Sequence, residues 1–161
     1  MIDLTPLKTA VFQEVSSGRL GEPVFARLIL VISSDHGHLL PLCQQAVGFI
    51  QELLQFPAEA VLTRGSQESG SLVVQLDLEG GRSALAVVAT RREEEPQLDL
   101  LMVGNHGTLR YRNDGPLLEA ELEAGSEIKV NESTAPATSL RQALQESLRS
   151  GERVSLEQEE R

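Results

Sequence analysis

Apolar residues recur along this chain with two periods, and the change of period divides it. Thr5-Pro6 supplies a capping hydroxyl followed by proline at the first helical position. Leu7, Val11 and Val15 then recur every four residues with Phe12 beside them, which predicts an amphipathic helix. Gly18 stops it, and Gly21 with Pro23 makes a turn. Residues 24–33 read as a strand with Val24, Ala26, Leu28, Leu30 and Ile32 on one face and Phe25, Ile29 and Val31 on the other. Arg27 is its only charge, so both faces of that strand need cover.

After a polar loop at 34–38, residues 39–55 form the strongest helical pattern. Leu39, Leu42, Cys43, Ala46, Val47, Phe49, Ile50, Leu53 and Leu54 make one broad stripe, and Gln44, Gln45, Gly48, Gln51, Glu52 and Gln55 make the other side. Phe56-Pro57 ends it. The period then drops to two. Strands are predicted at 58–63, 72–78, 83–90, 98–103, 108–112 and 117–123, with Gly80-Gly81 as a hairpin signal and 64–70 and 91–96 as loops. Glu119, Glu121 and Glu123 all point one way, a wet face. Residues 131–138 read as a flexible Ser, Thr, Ala and Pro segment. Thr138 or Ser139 then caps a final helix carrying Leu140, Ala143, Leu144 and Leu148, ended by Gly151. Val154 to Leu156 makes one more short strand.

The order predicts one α+β domain over residues 1–156, with a mostly antiparallel open sheet and helices packed on one face, then an acidic tail at 157–161. The sequence of 161 residues is long enough for a core without disulfides or metal.

Charge narrows the function. Fourteen Lys and Arg against 24 Asp and Glu give a net −10, and there are only five aromatic residues. Nucleic acid is not expected as a partner, since phosphate neutralisation needs clustered cations and single strands need stacking platforms. Acidity also opposes an anionic membrane surface. Apolar runs such as Leu28 to Ile32 fall far short of the ~20 residues that span a bilayer. The start Met1-Ile2-Asp3-Leu4 lacks the basic and apolar blocks of a signal peptide, and one cysteine cannot form an internal disulfide. The expected location is the cytoplasm.

Candidate chemistry is sparse. Asp35, His36 and His38 are metal-ligand types, but zinc needs further protein ligands and the only other histidine is His106, so no metal is expected. Cys43 sits on the apolar stripe, where cysteine behaves as a small hydrophobe. No Gly-x-Ser-x-Gly, Gly-x-Gly-x-x-Gly or Gly-x-x-x-x-Gly-Lys occurs. Gly104-Asn105-His106-Gly107 lies between two strands and reads as a tight turn, not a phosphate cradle.

Taken in order, five stretches resemble the C-terminal domain of the Gfo/Idh/MocA oxidoreductases, the family of glucose–fructose oxidoreductase and inositol dehydrogenase. Residues 17–24 (SGRLGEPV) are similar to its helix-to-strand turn, 39–57 to its central helix with a Pro exit, and 72–88 to its Gly-containing hairpin. Residues 100–111, with VGNHGTL, resemble its v-x-G-x-x-G-t-l strand pair, and 147–154 (SLRSGERV) its closing motif. The resemblance implies the family's fold. Full-length members place a nucleotide-binding Rossmann domain before this point, whereas this sequence starts where that domain would end. It therefore lacks the dinucleotide fingerprint and the family's catalytic lysine. The family's central helix carries an Asp, a His four later and an Asp three beyond. Counted back from Pro57, those positions fall on Pro41, Gln45 and Gly48, none an acid or base.

Three functions follow as expectations. The first is a non-catalytic oligomerisation or interaction module. The open sheet face (Arg27, Ile29, Val31, Val87, Leu101) would be buried in a homodimer or against a partner, as the family's sheet commonly is. The second is the substrate-domain half of a split oxidoreductase. NAD(P) would then be held only by a Rossmann partner chain, with no cofactor on this chain. The third is a sugar or polyol binding module, with Asp35, His36, His38 and Gln45 as polar contacts.

Overall fold

The computed structural model describes residues 4–33, 38–91, 96–113 and 138–156. The strand expected at 117–123, the segment at 131–137 and the acidic tail lie outside the described residues.

Helix α1 (Thr5–Ser16) begins with proline in its first turn and ends as the Ser17 hydroxyl donates to the Glu14 carbonyl at 2.6 Å. Strand β1 (Pro23–Ser33) leads to α2 (Leu39–Leu54). The first helical N–H of α2, on Leu39, has no intrahelical acceptor and donates to Gln67 Oε1 at 3.1 Å. Gln55 closes the helix in the left-handed region at φ 59°. Next come β2 (Ala58–Ser66) and β3 (Ser71–Leu78), a 3-10 turn at Glu79–Gly81, β4 (Arg82–Arg91), β5 (Gln97–Gly104) and β6 (Thr108–Arg112). Helix α3 (Thr138–Ser150) and the two-residue β7 (Val154–Ser155) follow.

The seven described strands form one sheet in the order β6-β5-β1-β4-β3-β2-β7. Every described pairing is antiparallel except the central one, β1 with β4, which is parallel. The fold is therefore α+β with an open sheet, as expected, though mixed at its centre. Strands that are apolar on both faces suit a parallel neighbour as well as an antiparallel one, so alternation alone does not reveal that pair.

The helices lie on one face. Leu28, Leu30, Leu76, Leu78, Leu100 and Met102 project from the sheet into a core closed by Val47, Ile50 and Leu144. Val24 shares the face of Ala26 but sits at the strand's start and is 42% exposed. Gln44, expected on the wet side of α2, is buried at 8% exposure. Helix α3 is pinned by Ser147, which is fully buried. Its hydroxyl donates to the Glu152 carbonyl at 2.6 Å and accepts the Thr63 N–H at 2.8 Å.

The two glycine-rich turns lock together. Asn105 Oδ1 accepts the Glu22 N–H at 2.9 Å, the Asn105 N–H returns to the Glu22 carbonyl at 3.1 Å, and the His106 N–H reaches the Leu20 carbonyl at 3.2 Å. Gly21, at φ +71°, lies so close that a side chain there would collide with Asn105 Oδ1 and the His106 ring. A side chain at Gly104 would strike the Leu20 carbonyl. These glycines permit close backbone approach.

Candidate functional site

The family resemblance puts its acid–base groups on the outward side of α2. Pro41, Gln45, Gly48 and Glu52 follow at spacings of four, three and four, so they share one face of the helix. Pro41 and Glu52 are exposed, and Gln45 and Gly48 are half-buried. Glu52, the one carboxylate, is tied to Lys8 of α1 at 2.6 Å. Lys8 in turn lies 5.9 Å from the centre of the Phe12 ring. At Gly48 an added Cβ would meet nothing within 4 Å, so no described part of the chain uses the missing side chain.

His38 is exposed at the N-cap of α2, with no capping bond from its side chain, and Gln45 lies two turns further on. Asp35 and His36 lie outside the described residues. Neither the cleft beside α1 (Lys8, Thr9, Phe12, Gln13) nor the cleft on the sheet is lined by His38 or Gln45. Among the described residues no group of three His, Cys, Asp or Glu side chains could hold a metal ion. Cys43 is buried, and burial pushes its thiol up to about 12, so the thiolate that a nucleophile needs is absent near neutral pH.

The sheet has a second face, turned away from the helices. Strand parity puts Phe25, Arg27, Ile29 and Val31 there from β1, and Ser83, Leu85, Val87 and Ala89 from β4. In register, Ile29 stands between Val87 and Asp99, and Val87 stands beside Val73 of β3. Arg27 stands between Leu85 and Leu101. Ile29, Val87 and Leu101 are half-exposed, whereas Val31 is buried at 7% exposure. The structure thus puts all five residues expected at an interface on the same side of the sheet, across three adjacent strands, with Val31 already covered there.

A charged cluster interrupts this surface. Asp99 of β5 accepts a hydrogen bond from Arg110 at 2.6 Å and has Arg27 at 3.6 Å and Arg112 at 3.9 Å. Burial pushes the Asp99 carboxyl up, but the Arg110 hydrogen bond and the charges of Arg110, Arg27 and Arg112 outweigh it. The carboxyl is held below its usual range. Sequence reasoning found Arg27 and missed Asp99, Arg110 and Arg112. The available signal was that a lone charge in an apolar strand requires a partner on a neighbouring strand.

The fold identifies the class: an α+β domain built like the C-terminal part of inositol dehydrogenases and related oxidoreductases. Myo-inositol dehydrogenase from Lactobacillus casei, solved with NAD(H) and myo-inositol, superimposes with a TM-score of 0.70 at 13% identity over 96% of this chain and 60% of its own. Scyllo-inositol dehydrogenase from the same organism, solved with NAD(H) and scyllo-inositol, gives 0.68 at 13% over 94% and 61%. Myo-inositol 2-dehydrogenase from Lactobacillus plantarum gives 0.67 at 12% over 93% and 61%. The chain thus spans about 60% of the length of these dehydrogenases, and at such identities the likeness is one of fold. No protein-family model and no curated protein matches the sequence. Among the described residues no helix is long and apolar enough to cross a membrane.

Proposed function

We propose that this chain is a non-catalytic interaction module that assembles through the open face of its sheet. The observation that carries this reading is the set of half-exposed apolar residues Phe25, Ile29, Leu85, Val87, Leu101 and Val103, broken only by Arg27 and Asp99 among them, with all three described helices packed on the other side. An apolar sheet face of this kind is an aggregation liability unless a partner covers it. The side of α2 supports the same reading, since Pro41, Gln45 and Gly48 supply no acid or base. On this reading the chain holds no cofactor of its own, and its lone thiol suits a cytoplasmic location.

Light scattering across a dilution series is the test. The expected result is twice the monomer mass, falling to the monomer mass on Ile29→Asp or Val87→Asp with the far-ultraviolet spectrum retained. A dimer indifferent to both substitutions, or a monomer at every concentration, refutes self-assembly through this face.

One observation favours a second reading, the substrate-domain half of a split oxidoreductase. Gly48 leaves open space on the side of α2 that this reading turns toward a Rossmann partner's nicotinamide. Mixing the chain with Rossmann-domain proteins and NAD(P)H tests it. Unchanged sedimentation and turnover would exclude those partners.

A further inference from the structure

At the Val31 end of the open face the sheet carries a cleft of about 200 Å³, lined among others by Ile29, Val31, Arg91, Asp99, Arg112 and Asn113. That volume lies below the roughly 300 Å³ at which pockets for drug-sized ligands begin, so the cleft suits a small molecule. Strand register builds it. Asp99 stands between Ile29 and Arg112, and Val31 stands between Ala89 and Gln97, so Ile29 and Val31 form an apolar floor. Arg91, two residues past Ala89 on β4, shares its parity and makes one wall, and Arg112 of β6 makes the opposite wall. The β6 side is held firmly. The Asn113 side-chain amide donates to the Pro96 carbonyl at 2.6 Å, and its Oδ1 accepts the Leu98 N–H at 2.8 Å.

Charge decides what enters. Asp99 is the one carboxylate on the described walls, and Arg110, Arg27 and Arg112 already answer it. Three guanidiniums around one carboxylate leave positive charge in excess, and Arg91 brings a further cation to the far wall. Four of the chain's 14 cations thus gather at one end of one face, in a chain whose net charge is −10. The field that holds the Asp99 carboxyl below its usual range favours a second anion for the same reason. Guanidinium forks take carboxylates through paired N–H···O bonds. With such a fork at each wall and an apolar floor between, the complement is a molecule with a carboxylate at each end and a short hydrocarbon between them. We propose that this cleft binds a short aliphatic dicarboxylate, one carboxylate at Arg91 and the other at Arg112, with its methylenes on Ile29 and Val31. The inference goes beyond the interaction reading, since it assigns a ligand to one end of the face and needs no second copy of the chain.

Isothermal titration of the whole chain with succinate and with glutarate tests it. At least one of them is expected to bind, one molecule per chain, at roughly millimolar concentration or below. Arg91→Gln and Arg112→Gln should each weaken that binding about tenfold or more, because each removes a charge-assisted pair. Propionate, with a single carboxylate, should bind weaker by a similar factor. Arg149→Gln, on the exposed side of α3, should leave the affinity unchanged. Silence from both diacids overturns the proposal, as does binding that neither cleft variant weakens. Propionate or inorganic phosphate binding as tightly as the diacid also overturns it, since the arginines would then attract anions in general. Circular dichroism checks folding first. Should Arg112→Gln unfold the chain by taking a cation from Asp99, Arg91→Gln decides from the opposite wall. Light scattering on the same solutions keeps the two readings apart. A monomer that binds the diacid supports the cleft and refutes self-assembly, and a dimer that binds neither diacid does the reverse.

Discussion

Replacing Gly48 by alanine should stabilise the isolated chain. The residue lies in the interior of the 16-residue α2 with ordinary helical backbone, so no left-handed conformation calls for glycine. An added Cβ would meet nothing within 4 Å, so neither a clash nor a packing gain enters. What remains is backbone entropy and helix propensity, worth about 0.5–1 kcal/mol in favour of alanine. For a domain of this size that corresponds to a rise in Tm of roughly 2–4 °C per kcal/mol. Urea denaturation followed by circular dichroism measures it. The midpoint should rise while the slope stays fixed, since no surface changes between the states compared. An unchanged or lowered midpoint would refute the reasoning, because something must then occupy the space over α2. If the alanine variant is more stable yet binds a nucleotide-binding partner less well, the helix face gains a role that stability does not explain.

Three further outcomes follow from particular side chains. Ser147→Ala removes the acceptor of the buried Thr63 N–H and should cost about 1–3 kcal/mol; urea denaturation reads it, and a loss below a few tenths would show that β2 and α3 do not depend on this contact. Cys43 should resist a disulfide-exchange reagent in the native protein and react at once in denaturant, because burial holds its thiol near 12; prompt native labelling would contradict the packing of α2. Asp99 has its folded pKa lowered, so its contribution to stability is present above the unfolded value near 4 and is lost as pH falls through the lower folded value. Asp99→Asn should therefore flatten the fall in stability below about pH 4, and an unaltered acid limb would remove the ion cluster from the account.

Legibility in the sequence varied with the physics of each element. Helix α2 was readable because its stripe recurs at helical spacing, and the glycine turns because so few residues fit them. Strand β2 extends to Ser66, past the apolar pattern ending at Thr63. Its ladder continues through Arg64 opposite Val73 and Ser66 opposite Ser71, where backbone hydrogen bonds need no apolar side chain. Gln44 reads as solvent-facing by polarity alone, and only the packing of α2 against its neighbours buries it. That Arg27, Ile29, Val31, Val87 and Leu101 share the side of the sheet away from the helices was legible from strand alternation. Asp99 was not, because only strand register brings residues 27 and 99 together.

That register bears on what can cover the open face. Charged residues placed on an otherwise apolar sheet face are a recognised device against indiscriminate edge and face association. Arg27, Asp99 and Arg110 form such a device, since any apolar surface that covers them must desolvate the cluster. The same cluster admits a partner that answers each charge, so one feature opposes random contact and selects a specific one. Substituting both Arg27 and Asp99 by leucine separates these effects. It removes the selectivity while enlarging the apolar face, so the double variant should associate more readily and without a fixed stoichiometry. A sharp dimer of unchanged affinity in sedimentation would show that the apolar residues alone set the partner.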